Sequence, residues 1–528
     1  MKNQIKTLLE MKLNKNIVLE KPKDKKFGHF ATPVAFSMAK ELRKSPIIIA
    51  DDLAKDFSGL PQFSKVEAVK GYLNFHLSSN FLNDYAKISL EKKDKFGSEN
   101  KNEKILLEFV SANPTGPLHI GHARGAIYGD TLLKLGKHLG YKIDAEYYVN
   151  DAGNQIKLLG LSLYYAGITN ILNQKMDEPE EYYRGEYIID LAKDIFSEFG
   201  KDIFLDQNRE KLANLGKEKM MKEIKSNLNN VGIEFDLFVS EKDLYPKWED
   251  SLKKLQIKNA TFEDETKKLW LKSTEFGDEK DRVIVRDNGI PTYLAGDIIY
   301  HHDKFKRNYD KYINIWGSDH HGYISRVKSA IEFLDYDSNK LEVILTQMVA
   351  LLKDGQPYKM SKRAGNFILM RDVIDEVGSD ALRFIFASKT PDTPLEFDVS
   401  DLAKQDSSNP VFYVNYAHAR VQSLVSKSSF VEDEILKTDI ENLDLNKKEL
   451  LFLALQLPET IRESFDSRQT QKLTDYLKSL ASSFHSFYNN TKILGENDEK
   501  SLLKLSLVVA NSISIGLKIM GIKAKNRM

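Results

Sequence analysis

The chain of 528 residues has no cysteine, which excludes disulfides, thiolate nucleophiles and Cys-ligated zinc. It has no net charge either. Its 77 Lys and Arg balance 77 Asp and Glu, so any surface for nucleic acid has to come from local clustering. Nowhere does an uninterrupted apolar run reach the length of a membrane span, and Met1 to Glu10 lack the apolar core of a signal peptide. A cytoplasmic protein with no membrane partner is expected. Internal repeats and low-complexity tracts are also missing. What is present is a globular composition, 41% hydrophobic and 29% charged. The chain is long enough for three or four units at about 150 residues each.

One stretch organises the rest. An apolar run, Ile105 to Val110, reads as a buried strand; Pro114, Gly116 and Pro117 break it, and a helical pattern starts at His122 with apolar Tyr128, Leu132, Leu135 and Leu139. Free backbone N–H groups and the dipole at such a helix start favour phosphate oxygens. His119 and His122 can add donors there, and Gly121 leaves room for a flat base against the backbone. The bland alternative is a glycine-punctuated turn with two surface histidines, so the context has to decide.

Residues 1 to 50 hold eleven Lys and Arg against four Asp and Glu, interleaved with Phe27, His29, Phe30 and Phe36. That mixture suits an RNA-facing surface, although a solvated lysine face is the plainer reading. Val66, Val69, Tyr72, Asn74 and Phe75 close this small α+β unit as strands, and Glu91 to Lys104 reads as a linker. From Lys104 to about Leu352, strand-like runs at Ile105–Val110, Ile143–Val149, Tyr312–Trp316 and Val343–Leu351 alternate with helices. Such alternation predicts an α/β fold with a doubly wound, Rossmann-like parallel sheet, its ligands outside the carboxyl ends of the strands. Ile171 to Trp270 reads as a charged helical insertion without evident chemistry. Past Ser400 the helical periods predict a bundle, with Leu450, Leu453, Leu473, Leu477 and Leu480 among its apolar positions.

A second basic stretch, Lys359-Met360-Ser361-Lys362-Arg363-Ala364-Gly365-Asn366, follows a turn at Asp354-Gly355-Gln356-Pro357. Cations beside glycine make a clamp for developing phosphate charge, a form of catalysis that needs no covalent nucleophile. Polar residues also gather after predicted strands: Asn150, Asp151 and Asn154 after one, and Asp319, His320 and His321 after another. Tyr293 and Asp297 stand four residues apart, one turn if helical. Asn, Asp and Tyr converging on one pocket suit a cationic, planar group. A structural ion pair at Asp297 and a helix cap at Asp319 are the competing readings. His301-His302-Asp303 with Asp319-His320-His321 is a weak metal pattern, because adjacent side chains rarely point at one ion; no resident metal site is expected.

His119-Ile120-Gly121-His122 and Lys359-Met360-Ser361-Lys362 together resemble the paired nucleotide motifs of class I aminoacyl-tRNA synthetases. The chain is similar to arginyl-tRNA synthetases in particular over nearly its whole length. The likeness runs through Gly28-His29-Phe30-Ala31-Thr32, Gly71-Tyr72-Leu73-Asn74-Phe75, Asn150-Asp151-Ala152-Gly153, Tyr293 with Asp297, Asp380-Ala381-Leu382-Arg383-Phe384, Tyr413 to Arg420, and the closing Arg527-Met528.

That resemblance implies ATP-dependent ligation of L-arginine to tRNA(Arg) through an arginyl-adenylate, with Mg2+, by a monomer. It implies a tRNA-contacting α+β domain at 1–98, a class I catalytic domain with helical insertions at 99–370, a connecting segment at 371–407 and a helical anticodon-binding domain at 408–528. His119, His122, Lys359 and Lys362 would be catalytic, and Gly121, Met360 and Ser361 would join them around ATP. Asn113, Asn150, Asp151, Tyr293, Asp297, Asp319 and His320 would hold arginine. Phe30, Tyr413, Tyr416, Arg420 and Met528 would touch tRNA. The family usually has an acidic residue at His29, Asn at Pro33 and Gln at Asn415, which leaves the details of tRNA readout open. A catalytically inactive tRNA-binding relative is the alternative, and the intact histidines and lysines weigh against it.

Overall fold

A computed structural model describes residues 1–358, 367–440 and 443–528. Lys359, Met360, Ser361 and Lys362 therefore lie outside the described residues. The chain forms two compact units, each described by itself.

The larger unit, Glu99–Asn409 with Arg468–Gln471, is built on five parallel strands. They are β1 (Lys104–Glu108), β2 (Lys142–Val149), β3 (Leu237–Ser240), β4 (Lys311–Gly317) and β5 (Leu341–Thr346), in the spatial order β3-β2-β1-β4-β5. Ile105, Leu106 and Leu107 are all buried, as befits a strand covered on both faces. The chain winds outward from β1 in one direction and resumes on its other side at β4. A crevice therefore opens between the carboxyl ends of those two strands. Three helices matter to it: α1 (Ile120–His138), α2 (Glu241–Leu244) and α3 (Tyr293–Lys306).

The strand register sets Glu146, Glu108 and Asn314 side by side across β2, β1 and β4, all buried. Two carboxylates at the centre of a sheet require cations, and α3 supplies them. Lys304, fully buried, places Nζ 2.6 Å from Glu108, 2.9 Å from Asn314 Oδ1 and 3.5 Å from Glu146. Arg307 and the Tyr300 hydroxyl also donate to Glu146. Burial opposes ionisation of Glu146, yet Lys304 and Arg307 hold its carboxyl below the ordinary range.

Two expectations need correcting. Val343–Leu351 is not one strand: β5 ends at Thr346, and Val349–Lys353 pairs instead with Leu395–Asp398 in a separate sheet. Arg124 accounts for the break, because its buried guanidinium takes the carbonyls of Gln347 and Met348, each at 3.0 Å, and those of Thr390 and Thr393. Nor is Ile171–Trp270 purely helical. It contains the edge strand β3, and its end enters a small antiparallel sheet with Arg282–Val285. Its helices pack with Leu159 and Leu163 around Ile188, Ile195, Phe204 and Leu212.

The other unit joins Met1–Ser98 to Pro410–Ser467 and Lys472–Met528. Phe30–Thr32, Tyr72–Leu77 and Phe63–Val69 form a three-stranded antiparallel sheet. His29 and Phe30 meet Phe452 edge-on at 4.6 and 5.6 Å, and Asn83 Oδ1 accepts the Ile440 amide. Helix Glu499–Ile519 is apolar and long enough by composition to cross a membrane, but it is mostly buried and packs against Pro410–Lys427 and Leu445–Ala454.

A buried ion pair stitches the sheet unit together. Arg383 donates to Asp130 of α1 and to the Val231 carbonyl, both charged groups being buried. Arg383→Met should lower the stability of this unit to urea by about 3–5 kcal/mol, because Asp130 keeps only Lys134. A loss under about 1 kcal/mol would mean that the half-exposed Lys134 suffices.

Candidate active site

The crevice between β1 and β4 is a cavity of about 740 Å³. One side is the start of α1. His119 is its N-cap, and its Nδ1 accepts the amides of Gly121 and His122 at 3.1 and 3.3 Å, while His122 Nδ1 accepts the His119 amide at 3.4 Å. The two rings stack at 3.6 Å. The Ile120 amide goes to the Ile368 carbonyl. The first amides are thus already engaged, contrary to the expectation that they stand free. What this helix start presents to an anion is the pair of imidazole Nε2 atoms. Burial lowers the pKa of both rings, and His119 lowers that of His122 further, to about 3; both are neutral and able to donate. Gly121 is needed for a different reason than expected, since a Cβ there would come within 3.0 Å of the His119 ring. Room for a flat group lies instead at Gly125, which lines the cavity with nothing within 4 Å of its Cβ position.

The other side is acidic. Asp297 on α3 lines the cavity with Glu241 at the start of α2 and Glu108 at the end of β1. Tyr293, one turn before Asp297, is about half exposed and stands at the mouth. Burial, then Glu241 and Glu108, push the Asp297 carboxyl up to about 7. Burial likewise raises Glu241, partly offset by the Tyr245 hydroxyl that donates to Oε1 at 3.3 Å. Glu241 Oε2 is buried and has no partner among the described residues. Gly296 lets this carboxylate approach, since a Cβ there would meet Oε1 at 2.6 Å. Of these three carboxylates, Lys304 pairs with Glu108 alone. Arg326 offsets the charge at Asp297 only in part, and a planar guanidinium would match several of these acceptors at once.

The link between the two sides is a strained turn. Val110 and Ser111 both have positive φ, 69° and 43°, a region that disfavours β-branched residues. Ser111 Oγ donates to Glu108 at 3.0 Å and accepts the Tyr148 amide. This turn sets Asn113 on the cavity wall. Asn150, Asp319 and His320 line the cavity too, although Asp319 is largely exposed.

Asp151 is not among the residues that line it. Its carboxylate is committed to Lys217 at 3.0 Å, Ser240 Oγ and the Lys242 amide, and so fixes the turn that carries Glu241. Glu241 itself escaped sequence reasoning because its surroundings read as a helical insertion. The short apolar run ending at Ser240, just ahead of a carboxylate, was the available signal.

In the other unit, Phe30 is buried beneath Phe452. Arg420 lies over the rings of Tyr416 and Tyr488 at 4.4 and 4.7 Å and donates to His485, which is held by the Tyr413 carbonyl. Tyr416 and Met528 are exposed.

Comparison with known proteins accords with this geometry. The descriptions "Arginyl tRNA synthetase N terminal domain", "tRNA synthetases class I (R), catalytic domain" and "DALR anticodon binding domain" match residues 1–77, 86–422 and 414–528. The chain is 59% identical to an arginine–tRNA ligase of Nitratiruptor sp. and 58% identical to one of Wolinella succinogenes, over 100% of each chain. It is similar to a solved structure named as an arginyl-tRNA synthetase of Campylobacter jejuni (TM-score 0.83, 55% identity, 86% of this chain and 100% of that one). It also shares its fold with Thermus thermophilus arginyl-tRNA synthetase (TM-score 0.78, 21% identity, 100% of both chains).

The raised Asp297 carboxyl gives a signed pH dependence. In the empty protein its contribution to stability is present below the ordinary carboxylate range and is lost as pH rises through about 7. A bound cation needs the ionised form. Calorimetry with a guanidinium ligand should therefore show binding about tenfold tighter at pH 8 than at pH 6, and Asp297→Asn should flatten the difference. Equal affinity at both pH values would remove Asp297 from the binding site.

Proposed function

The chain belongs to the arginyl-tRNA synthetase family and ligates L-arginine to tRNA with ATP; we propose that the crevice between β1 and β4 is where it does so. The observation that carries this is the unbalanced acidic wall of Asp297 and Glu241. In this reading both carboxylates take the guanidinium beneath Tyr293, while Asn113 and Asn150 flank the amino-acid end. Lysine cannot supply the planar fork, and a site built to hydrogen-bond a charged group rejects analogues that leave it unpaired.

The arginine carboxylate attacks the α-phosphate, giving arginyl-adenylate and pyrophosphate; the terminal ribose hydroxyl of tRNA then takes the arginyl group and AMP leaves. His119 and His122 donate to phosphate oxygens from Nε2, and Lys359 and Lys362 supply positive charge to the pyrophosphate. Catalysis is then mostly positioning and electrostatics, and no general base is required. Among the described residues no three His, Asp or Glu side chains could hold a metal, so magnesium would enter on the nucleotide's own phosphate oxygens.

For tRNA(Arg), the Tyr416–Arg420–Tyr488 stack offers a surface for unpaired anticodon bases, with Tyr413 held against it through His485 and the exposed Met528 as a further contact. The reading takes the enzyme as a cytoplasmic monomer, since one chain contains both the crevice and this stack.

Pyrophosphate exchange in the presence of ATP, arginine and tRNA(Arg) tests the assignment. Asp297→Ala should raise the arginine KM at least about thirtyfold, the lower end for truncating one partner of a buried charge pair, and leave the ATP KM within about threefold. Equal losses for both substrates would contradict the pocket. Tyr416→Ala should raise the tRNA KM about tenfold, as losing one stacked base would, with arginine and ATP constants unmoved.

A further inference from the structure

Asn314 is fully buried at the middle of β4, where an apolar side chain would suit the sheet better. Its orientation is fixed from one side. Oδ1 accepts Lys304 Nζ at 2.9 Å, so Nδ2 is the atom that faces His301 Nε2 at 3.2 Å, and it donates. His301 Nδ1 lies 2.8 Å from the Asp297 carbonyl, which can only accept. The imidazole is thereby the Nδ1–H tautomer with both nitrogens engaged. A line of donors runs from Lys304 through Asn314 and His301 to the main chain of Asp297.

His301 also lines the cavity, beside the acidic wall. A proton on Nε2 would put a cation on the wall that has to receive a cation. The groups around the ring are Asp297, Tyr300 and Lys304 on its own helix, Asn314 and Trp316 on β4, Glu108 on β1, Glu146 on β2 and Glu241 on α2. Of these, the Asp297 carbonyl and Glu146 favour protonation. Burial and Lys304 push the imidazole pKa down to about 3, against the pull of Glu146.

We propose that Asn314 is a specificity-determining positioning residue for arginine: by donating to His301 Nε2 it excludes a proton there and keeps the wall beside Asp297 uncharged. This rests on reading the Asp297 crevice as the guanidinium site. Lys304 is the anchor that stops the amide from turning over, and its own charge is matched by Glu108 and Glu146. An aspartate at 314 would fill the same volume but present an acceptor to Nε2. With acceptors on both sides, the ring takes a proton.

The test is a pair of variants read through the arginine KM. Asn314→Asp should raise it about tenfold at neutral pH while the ATP KM stays within about twofold. Its ratio to wild type should shrink as pH rises from about 6 to about 9, because deprotonation of the imidazole removes the repulsion. Asn314→Ala loses the hydrogen bonds and opens a void but presents no acceptor to Nε2, and burial and Lys304 still hold the ring neutral, so its effect should be smaller and its ratio to wild type flat with pH. An alanine effect equal to or larger than the aspartate effect, or a flat aspartate ratio, overturns the proposal.

Nitrogen NMR of 15N-histidine in the unsubstituted enzyme gives a readout independent of variant folding. It should show His301 protonated at Nδ1 and bare at Nε2 around neutral pH, and an Nε2–H or doubly protonated ring also overturns it. If Asp297→Asn leaves the arginine KM unchanged, the crevice reading itself fails. If Asp297→Asn raises it while the two Asn314 variants behave alike, only the role of Asn314 fails.

Discussion

Lys304 is the constraint on which the catalytic unit depends. It has no exposed surface, and it faces two carboxylates and an amide set abreast by the register of three neighbouring strands. Such a cluster is costly to bury, and its value lies in what it specifies. Glu108, Glu146 and Asn314 cannot be satisfied unless α3 lies at one height and one rotation over the sheet. That placement carries Asp297 to the crevice and Tyr293 to its mouth. The acid that lines the crevice and the acid that meets Lys304 are thus positioned by the same contact.

Much of this arrangement was legible in the sequence. The apolar spacing of Tyr128, Leu132, Leu135 and Leu139 marked α1, and the runs at Ile105 and Tyr312 marked adjacent parallel strands. Tyr293 and Asp297 do share a helical face. What could not be read was set by long-range partners. His119 caps α1 with its own ring, which no local pattern distinguishes from a histidine awaiting phosphate. Gln347 and Met348 leave the sheet because Arg124, more than 200 positions earlier in the chain, takes their carbonyls. Asp151 follows its strand as a ligand would, but its partners Lys217 and Ser240 come from far along the chain. Glu241 looked like one charge among many in a charged stretch, and only the strand before it gives it an address. The clamp sequence Lys359 to Lys362 lies outside the described residues, so the pairing of the two signatures rests on sequence alone.

Two of the three positions at which the resemblance implies a departure, His29 and Asn415, have local explanations in the smaller unit. His29 is buried, its Nδ1 accepting the Leu77 amide, so it completes a strand edge and does not face solvent. Asn415 Oδ1 accepts the Lys525 amide, while His418, one turn on, donates to the carbonyl of the same residue. These two side chains hold the last segment of the chain by its backbone. Both departures therefore sit in packing and backbone capture, and the exposed Tyr416–Arg420 stack is unaffected by them.

The positive φ of Val110 and Ser111 has a consequence for how this protein could be made more robust. Glycine would relax the first of these positions, and a search guided by thermal resilience alone would find it early. The same turn seats Ser111 against Glu108 and aims Asn113 at the cavity. Natural drift toward greater rigidity elsewhere is tolerable, but easing this turn would free the cavity wall that carries Asn113 in exchange for endurance. The sturdiest descendant of this chain would not be its most discriminating one.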